Sequence, residues 1–160
     1  MDIVCHCLDG GRIKSHGLFE LFPSLNRFPM IAYCKQNRRI AVGSKKGGIY
    51  IYELRGMKVQ SYGGHAQAVS ACEFSPDGKH LATFSAKEGK VLFWAIGATM
   101  FGLGSTQPRC VKTSKASVVA AQNWPDLRDA PEYKIAKLRW MNNKDVMCLL
   151  MNGKEERFSV

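Results

Sequence analysis

One pattern recurs along this chain at a spacing of roughly forty residues, and recurrence at that length marks stacked supersecondary units rather than one irregular domain. The run Arg39-Ile40-Ala41-Val42-Gly43-Ser44 aligns with His80-Leu81-Ala82-Thr83-Phe84-Ser85. The same offset sets Tyr33 on Phe74 and the turn at Asn37 on the turn at Gly78. One added residue then brings Ile49-Tyr50-Ile51-Tyr52 onto Val91-Leu92-Phe93-Trp94. A weaker third copy follows, in which Trp140 stands for Phe74, Asn142-Asn143 for the turn, residues 146–151 for the second strand and Phe158 for Trp94.

Within each copy the units are short apolar runs divided by turn residues. The runs 30–34, 39–44, 48–54, 57–62, 69–74, 80–85, 90–96, 109–113, 134–140, 145–151 and 154–159, with 3–8 near the start, are mostly rich in β-branched and aromatic side chains, which predicts strands. Lys45-Lys46-Gly47, Pro76-Asp77-Gly78 and Asn152-Gly153 supply the Gly, Asn or Asp that tight reversals need. Two segments depart from this. Leu18, Leu21, Phe22 and Leu25 have helical spacing, so a helical turn or two is expected over 17–25, limited by Pro23. Residues 114–133 read as a long surface loop anchored at Trp124-Pro125. The expected fold is all-β, about three four-stranded antiparallel blades of a partial propeller. The copies lie at about 28–62, 63–113 and 134–160, and strand 3–8 comes from or completes a neighbouring blade. Propellers usually close with four to eight blades, so an arc of three implies a piece of a larger ring, or blade edges that pair with something else.

Composition narrows the class without naming a function. With 46% hydrophobic and 22% charged residues in 160, the chain is long enough to bury a core and too apolar for wholesale disorder. No apolar run reaches the roughly eighteen residues of a spanning helix, and the first residues lack the basic-then-apolar pattern of a signal peptide. The six cysteines sit mostly inside apolar runs, which fits free thiols in a reducing compartment. The net charge of +10 favours anionic partners.

The middle copy resembles a WD repeat. Gly64-His65 opens it, Val69, Cys72 and Phe74 lie on its first strand, Ser75-Pro76-Asp77-Gly78 forms the turn, and Lys90-Val91-Leu92-Phe93-Trp94 is the third strand. The resemblance implies a buried structural relay from His65 through the hydroxyl of Ser85 to the indole of Trp94. Ala86-Lys87-Glu88 and Ala95 replace the usual aspartates, so the relay would end at His65 or use Glu88. The chain further resembles the C-terminal end of the rabconnectin beta family. That likeness is carried by Asp2-Ile3-Val4, His6-Cys7-Leu8, Arg39-Ile40-Ala41-Val42-Gly43, the middle repeat, Arg109-Cys110 with Lys112-Thr113, and Asn152-Gly153-Lys154-Glu155 with Arg157-Phe158. It implies a cytoplasmic scaffold at the cytosolic face of vesicles or endosomes, partnered by a larger alpha subunit and by proton ATPase components, with a role in vesicle acidification.

No residue pattern speaks for catalysis or a cofactor. Alternation puts Cys5 and Cys7 on one strand face and His6 on the other, so they do not converge on a metal. His65 has no nucleophile in a recognisable order, and Gly43, Gly47 and Gly48 with Lys45-Lys46 lack the spacing of a phosphate loop. The candidate interaction residues are Lys35, Arg38, Arg39, Lys45, Lys46 and Trp124. The first five belong to a stretch with no acidic residue between Glu20 and Glu53, and Lys35–Arg38 and Lys45-Lys46 are expected at opposite ends of one strand. Protein partners are the first expectation. Peripheral binding to anionic lipid is the alternative, and nucleic acid is not expected, since no RNA-reading signature or reading helix appears.

Overall fold

The computed structural model describes residues 28–97, 107–117 and 136–160. The predicted strand 3–8, helical turn 17–25, Cys5-His6-Cys7 and Trp124 lie outside the described residues. Within them the chain forms three antiparallel sheets. The first runs β1 (Ile31–Cys34), β2 (Arg39–Gly43), β3 (Gly48–Glu53) and β4 (Lys58–Gly63) in simple order. The second runs β5 (Ala71–Phe74), β6 (His80–Ser85), β7 (Lys90–Ala95) and β8 (Arg109–Lys115). The third comprises β9 (Ala136–Trp140), β10 (Asp145–Leu150) and β11 (Glu155–Ser159). β8 continues two residues past the predicted strand end, so Ser114 and Lys115 belong to a strand rather than to the predicted loop. They pair with Val91 and Lys90 in a ladder that absorbs an irregularity between Phe93 and Trp94.

The repeat in the sequence is a repeat of register. Tyr33, Ile40 and Tyr52 lie side by side across the first sheet. Phe74, Leu81 and Trp94 do so across the second, and Trp140, Val146 and Phe158 across the third. Equivalent residues therefore face the same way in each blade, and two joints follow. Ala32, Cys34, Ala41, Ile49 and Ile51 of the first sheet meet Cys72, Phe74, Leu81, Leu92 and Trp94 of the second. The other face of the second sheet, with Ala71, Ala82, Phe84, Val91 and Phe93, meets Leu138, Trp140, Val146, Cys148 and Phe158 of the third. The middle blade is thus buried on both faces, which is why β7 reads as a nearly unbroken apolar run and β6 is buried at five of its six positions.

The sheets stack in series because β1, β5 and β9, the first strand of each, pack side by side. Their turns are stitched at one end of the arc. Gln36 Nε2 donates to Pro76 O at 2.6 Å, Asn37 Nδ2 to Gly78 O at 3.1 Å, and the Asp77 amide to Asn143 Oδ1 at 3.1 Å. At the opposite end the linker 64–70 clasps the β2–β3 turn, with the Val69 amide on Ser44 O and the His65 amide on Gly47 O. Gly47 sits at φ +82°, and a Cβ there would come 1.9 Å from His65 O, so this crossing requires glycine.

Candidate functional site

The linker that clasps the first blade also delivers His65 into the second. Gly64 lies so close to Trp94 that a Cβ would meet the indole at 2.6 Å, so glycine lets the chain pass against the ring on its way to His65. His65 is buried. Its Nε2 is 3.0 Å from Thr83 Oγ1, and its Nδ1 is 2.7 Å from Glu88 Oε2. The Trp94 indole N–H donates to the same Thr83 oxygen at 3.1 Å, and Glu88 Oε1 accepts the Ala66 amide at 3.1 Å.

With His65 neutral and Glu88 ionised, Nδ1–H donates to the carboxylate and Nε2 accepts from the Thr83 hydroxyl, whose oxygen accepts the indole N–H. Burial disfavours the imidazolium and lowers the His65 pKa, against the opposing pull of Glu88. Burial alone would raise the Glu88 carboxyl, but the Ala66 amide, His65 and Lys90 outweigh it and hold it below its usual range. A neutral histidine between an ionised carboxylate and a hydroxyl tethers linker, second strand, β6–β7 turn and third strand. The Thr83 hydroxyl beside it is fully buried, and its oxygen is already engaged by the Trp94 indole.

Two residues named from sequence require correction. The relay hydroxyl is Thr83, not Ser85. Both point to one face of β6, but Ser85 pairs with Lys90, two positions further toward the turn, about 7 Å along the strand. Ser85 Oγ is buried without a hydrogen-bond partner. Arg39 is not a surface contact. It is only 7% exposed, its Nη1 donates to Gly97 O at 3.1 Å, and its Nη2 lies 3.7 Å from Glu53, its neighbour across the β2–β3 ladder. Lys35, Arg38, Lys45 and Lys46 are exposed, the first two in the β1–β2 turn and the others in the β2–β3 turn, at opposite ends of the blade.

Sequence reading passed over Glu73 on β5. Its Oε2 accepts the Trp140 amide at 3.1 Å, while the Trp140 indole N–H donates to the Glu73 carbonyl at 2.8 Å. Burial raises the Glu73 carboxyl to about 7, against lowering by the Trp140 amide, Arg139 and Lys137. The four described cysteines are free thiols, and burial pushes Cys72 and Cys148 up to about 12, where they are unreactive.

Residues 56–95 match the family model described as WD domain, G-beta repeat. That span begins before β4, the outer strand of the first blade, and ends with β7, so the sequence unit straddles two sheets. Among solved structures, Hsv2 of Kluyveromyces lactis superimposes with a TM-score of 0.59 at 14% identity, over 82% of this chain and 41% of that one. The β-propeller domain of Myceliophteria thermophila Cps50 (Swd1) gives 0.58 at 13% identity, over 81% and 38%. The fold is a partial WD-repeat β-propeller. The chain spans about two fifths of the length of these structures. The His65 relay is the internal brace of the middle blade.

Proposed function

We propose that this WD-repeat arc is a protein-interaction scaffold. The observation that carries this reading is the way the turns are held. At one end β-turns from three successive blades are hydrogen-bonded to one another, so side chains displayed there keep fixed positions before any partner arrives. Such preorganisation lowers the entropic cost of binding. The first blade's outer row adds a second surface. Tyr33, Ile40 and Tyr52 occupy the positions whose counterparts are buried at both joints, and Val59 beside them is 53% exposed, which fits a further blade on that side.

The finer reading rests on sequence resemblance. We assign the arc to the C-terminal blades of a rabconnectin-beta-like protein, acting in the cytoplasm at the face of vesicles or endosomes. Its partners would be a larger alpha subunit and proton ATPase components. Co-purification from cells expressing the tagged full chain tests this assignment. The expected result is recovery of the alpha subunit with proton ATPase subunits. Their absence, with the chain folded and abundant, would overturn it.

A further inference from the structure

Charge on the stitched end is concentrated at one corner of the first blade. The β1–β2 turn carries Lys35 and Arg38, and the β3–β4 turn carries Arg55 and Met57, followed by Lys58. The Leu54 amide donates to Arg38 O at 3.0 Å, which joins the two turns. All four cations are exposed, and none forms an ion pair among the described residues. Glu53, the carboxylate nearest them in sequence, is engaged by buried Arg39. Elsewhere at this end, Lys79 faces Asp77, Lys144 adjoins Asp145, and exposed Arg109 opens β8.

A second observation marks the same corner. Arg38 and Met57 are the two described residues other than glycine with positive φ, 51° and 50°. Glycine or asparagine would hold that conformation at lower cost, and strained backbone of this kind gathers at binding sites. Each strained position displays a long side chain, one cationic and one apolar, and Met57 is 69% exposed. Met is adaptable in contact with varied apolar groups. Gln36 and Asn37, between Lys35 and Arg38, are fastened to the next blade, so the corner is rigid at its base.

We propose that this corner binds an acidic polypeptide segment of the partner, its carboxylates on Lys35, Arg38, Arg55 and Lys58 and an apolar side chain on Met57. The inference rests on the scaffold reading and adds to it a surface and a partner chemistry. A protein segment suits the corner better than a membrane does. A membrane would engage a plane across all three blades, whereas here four unpaired cations meet at one corner beside exposed Met57, and at the next two blades the exposed cations Lys79, Arg109 and Lys144 are interspersed with Asp77 and Asp145.

The test is fluorescence anisotropy with the full chain and a labelled synthetic peptide of Asp, Glu and Leu, beside vesicles of phosphatidylcholine with phosphatidylserine. The charge reversals Arg38→Glu and Arg55→Glu together should weaken peptide binding about ten-fold or more, a difference of about 1.4 kcal/mol. Lys45→Glu with Lys46→Glu, the same charge change at the opposite end, should alter it less than about two-fold. Arg38→Gly relieves the backbone, so it should retain the fold while also weakening binding. Equal loss from both pairs, no peptide binding by the parent chain, or corner-dependent vesicle binding without corner-dependent peptide binding would each overturn the proposal. Capture of the alpha subunit unaffected by Arg38→Glu and Arg55→Glu would leave the scaffold standing and remove this surface from it.

Discussion

At the scale of single residues, the Thr83 hydroxyl holds more of the middle blade together than its size implies. It accepts from the Trp94 indole and stands against His65, so its loss strands two buried polar groups. Thr83→Val should lower unfolding free energy by about 1–3 kcal/mol, since an orphaned buried donor or acceptor costs on that order. Ser85→Ala should be near neutral or mildly stabilising, because Ser85 Oγ already lacks a partner. Urea denaturation of both variants measures this contrast, and the reverse ordering would place the relay at Ser85. The Gly-His spacing and Trp94 made two members of the relay legible in the sequence. The hydroxyl was not, because Thr83 and Ser85 share a strand face and alternation cannot choose between them. Arg39 misled for a related reason. In sequence it sits in a basic stretch, and only pairing with Glu53 across a hairpin turns it inward.

At the scale of elements, strands and turns were legible because β-branched runs alternate with Gly, Asn and Asp at the reversals. Positive φ at Gly47, Gly78, Gly89 and Gly153 bears this out at the β2–β3, β5–β6, β6–β7 and β10–β11 turns. The joints were less legible, since they are made by residues far apart in the chain. Glu73 and Trp140 are separated by 67 positions, and nothing local to Glu73 announces burial. That joint carries a pH dependence with a definite sign. The Glu73 carboxyl is raised from 4.5 to about 7 by burial, so the folded chain holds its proton more tightly than the unfolded one. Its contribution to stability is full below about pH 4.5 and is lost as pH rises through about 7. Glu73→Gln keeps an acceptor for the Trp140 amide without the charge. Relative to the parent chain, the variant should therefore gain stability as pH rises from 4.5 to 8. Thermal melts across that range measure the difference between the two proteins, which isolates Glu73 from the opposite trend set by His65. A flat difference would mean that Glu73 is not held in a desolvated joint.

At the scale of the whole molecule, the described residues form an arc whose middle blade is gripped on both faces and whose first blade keeps an apolar face partly in solvent. The forty-residue repeat made this arrangement readable, because equal register in each copy forces equivalent residues to face the same way. The fate of the first blade's outer row was not readable, since burial of Tyr33, Ile40 and Tyr52 depends on what stands beside them. Beside that row, Tyr50 and Val59 leave apolar surface exposed, and such surface favours self-association. Light scattering on the purified full chain across a range of concentrations tests this most directly, with Tyr50→Lys and Val59→Lys introduced together as the comparison. Tyr50 and Val59 are 39% and 53% exposed on that face, so the lysines should leave the fold intact. The expected mass rises with concentration for the parent chain and stays monomeric for the double variant. A parent chain that is strictly monomeric throughout, or one whose association survives both lysines, would contradict the claim that this face is an open propeller joint.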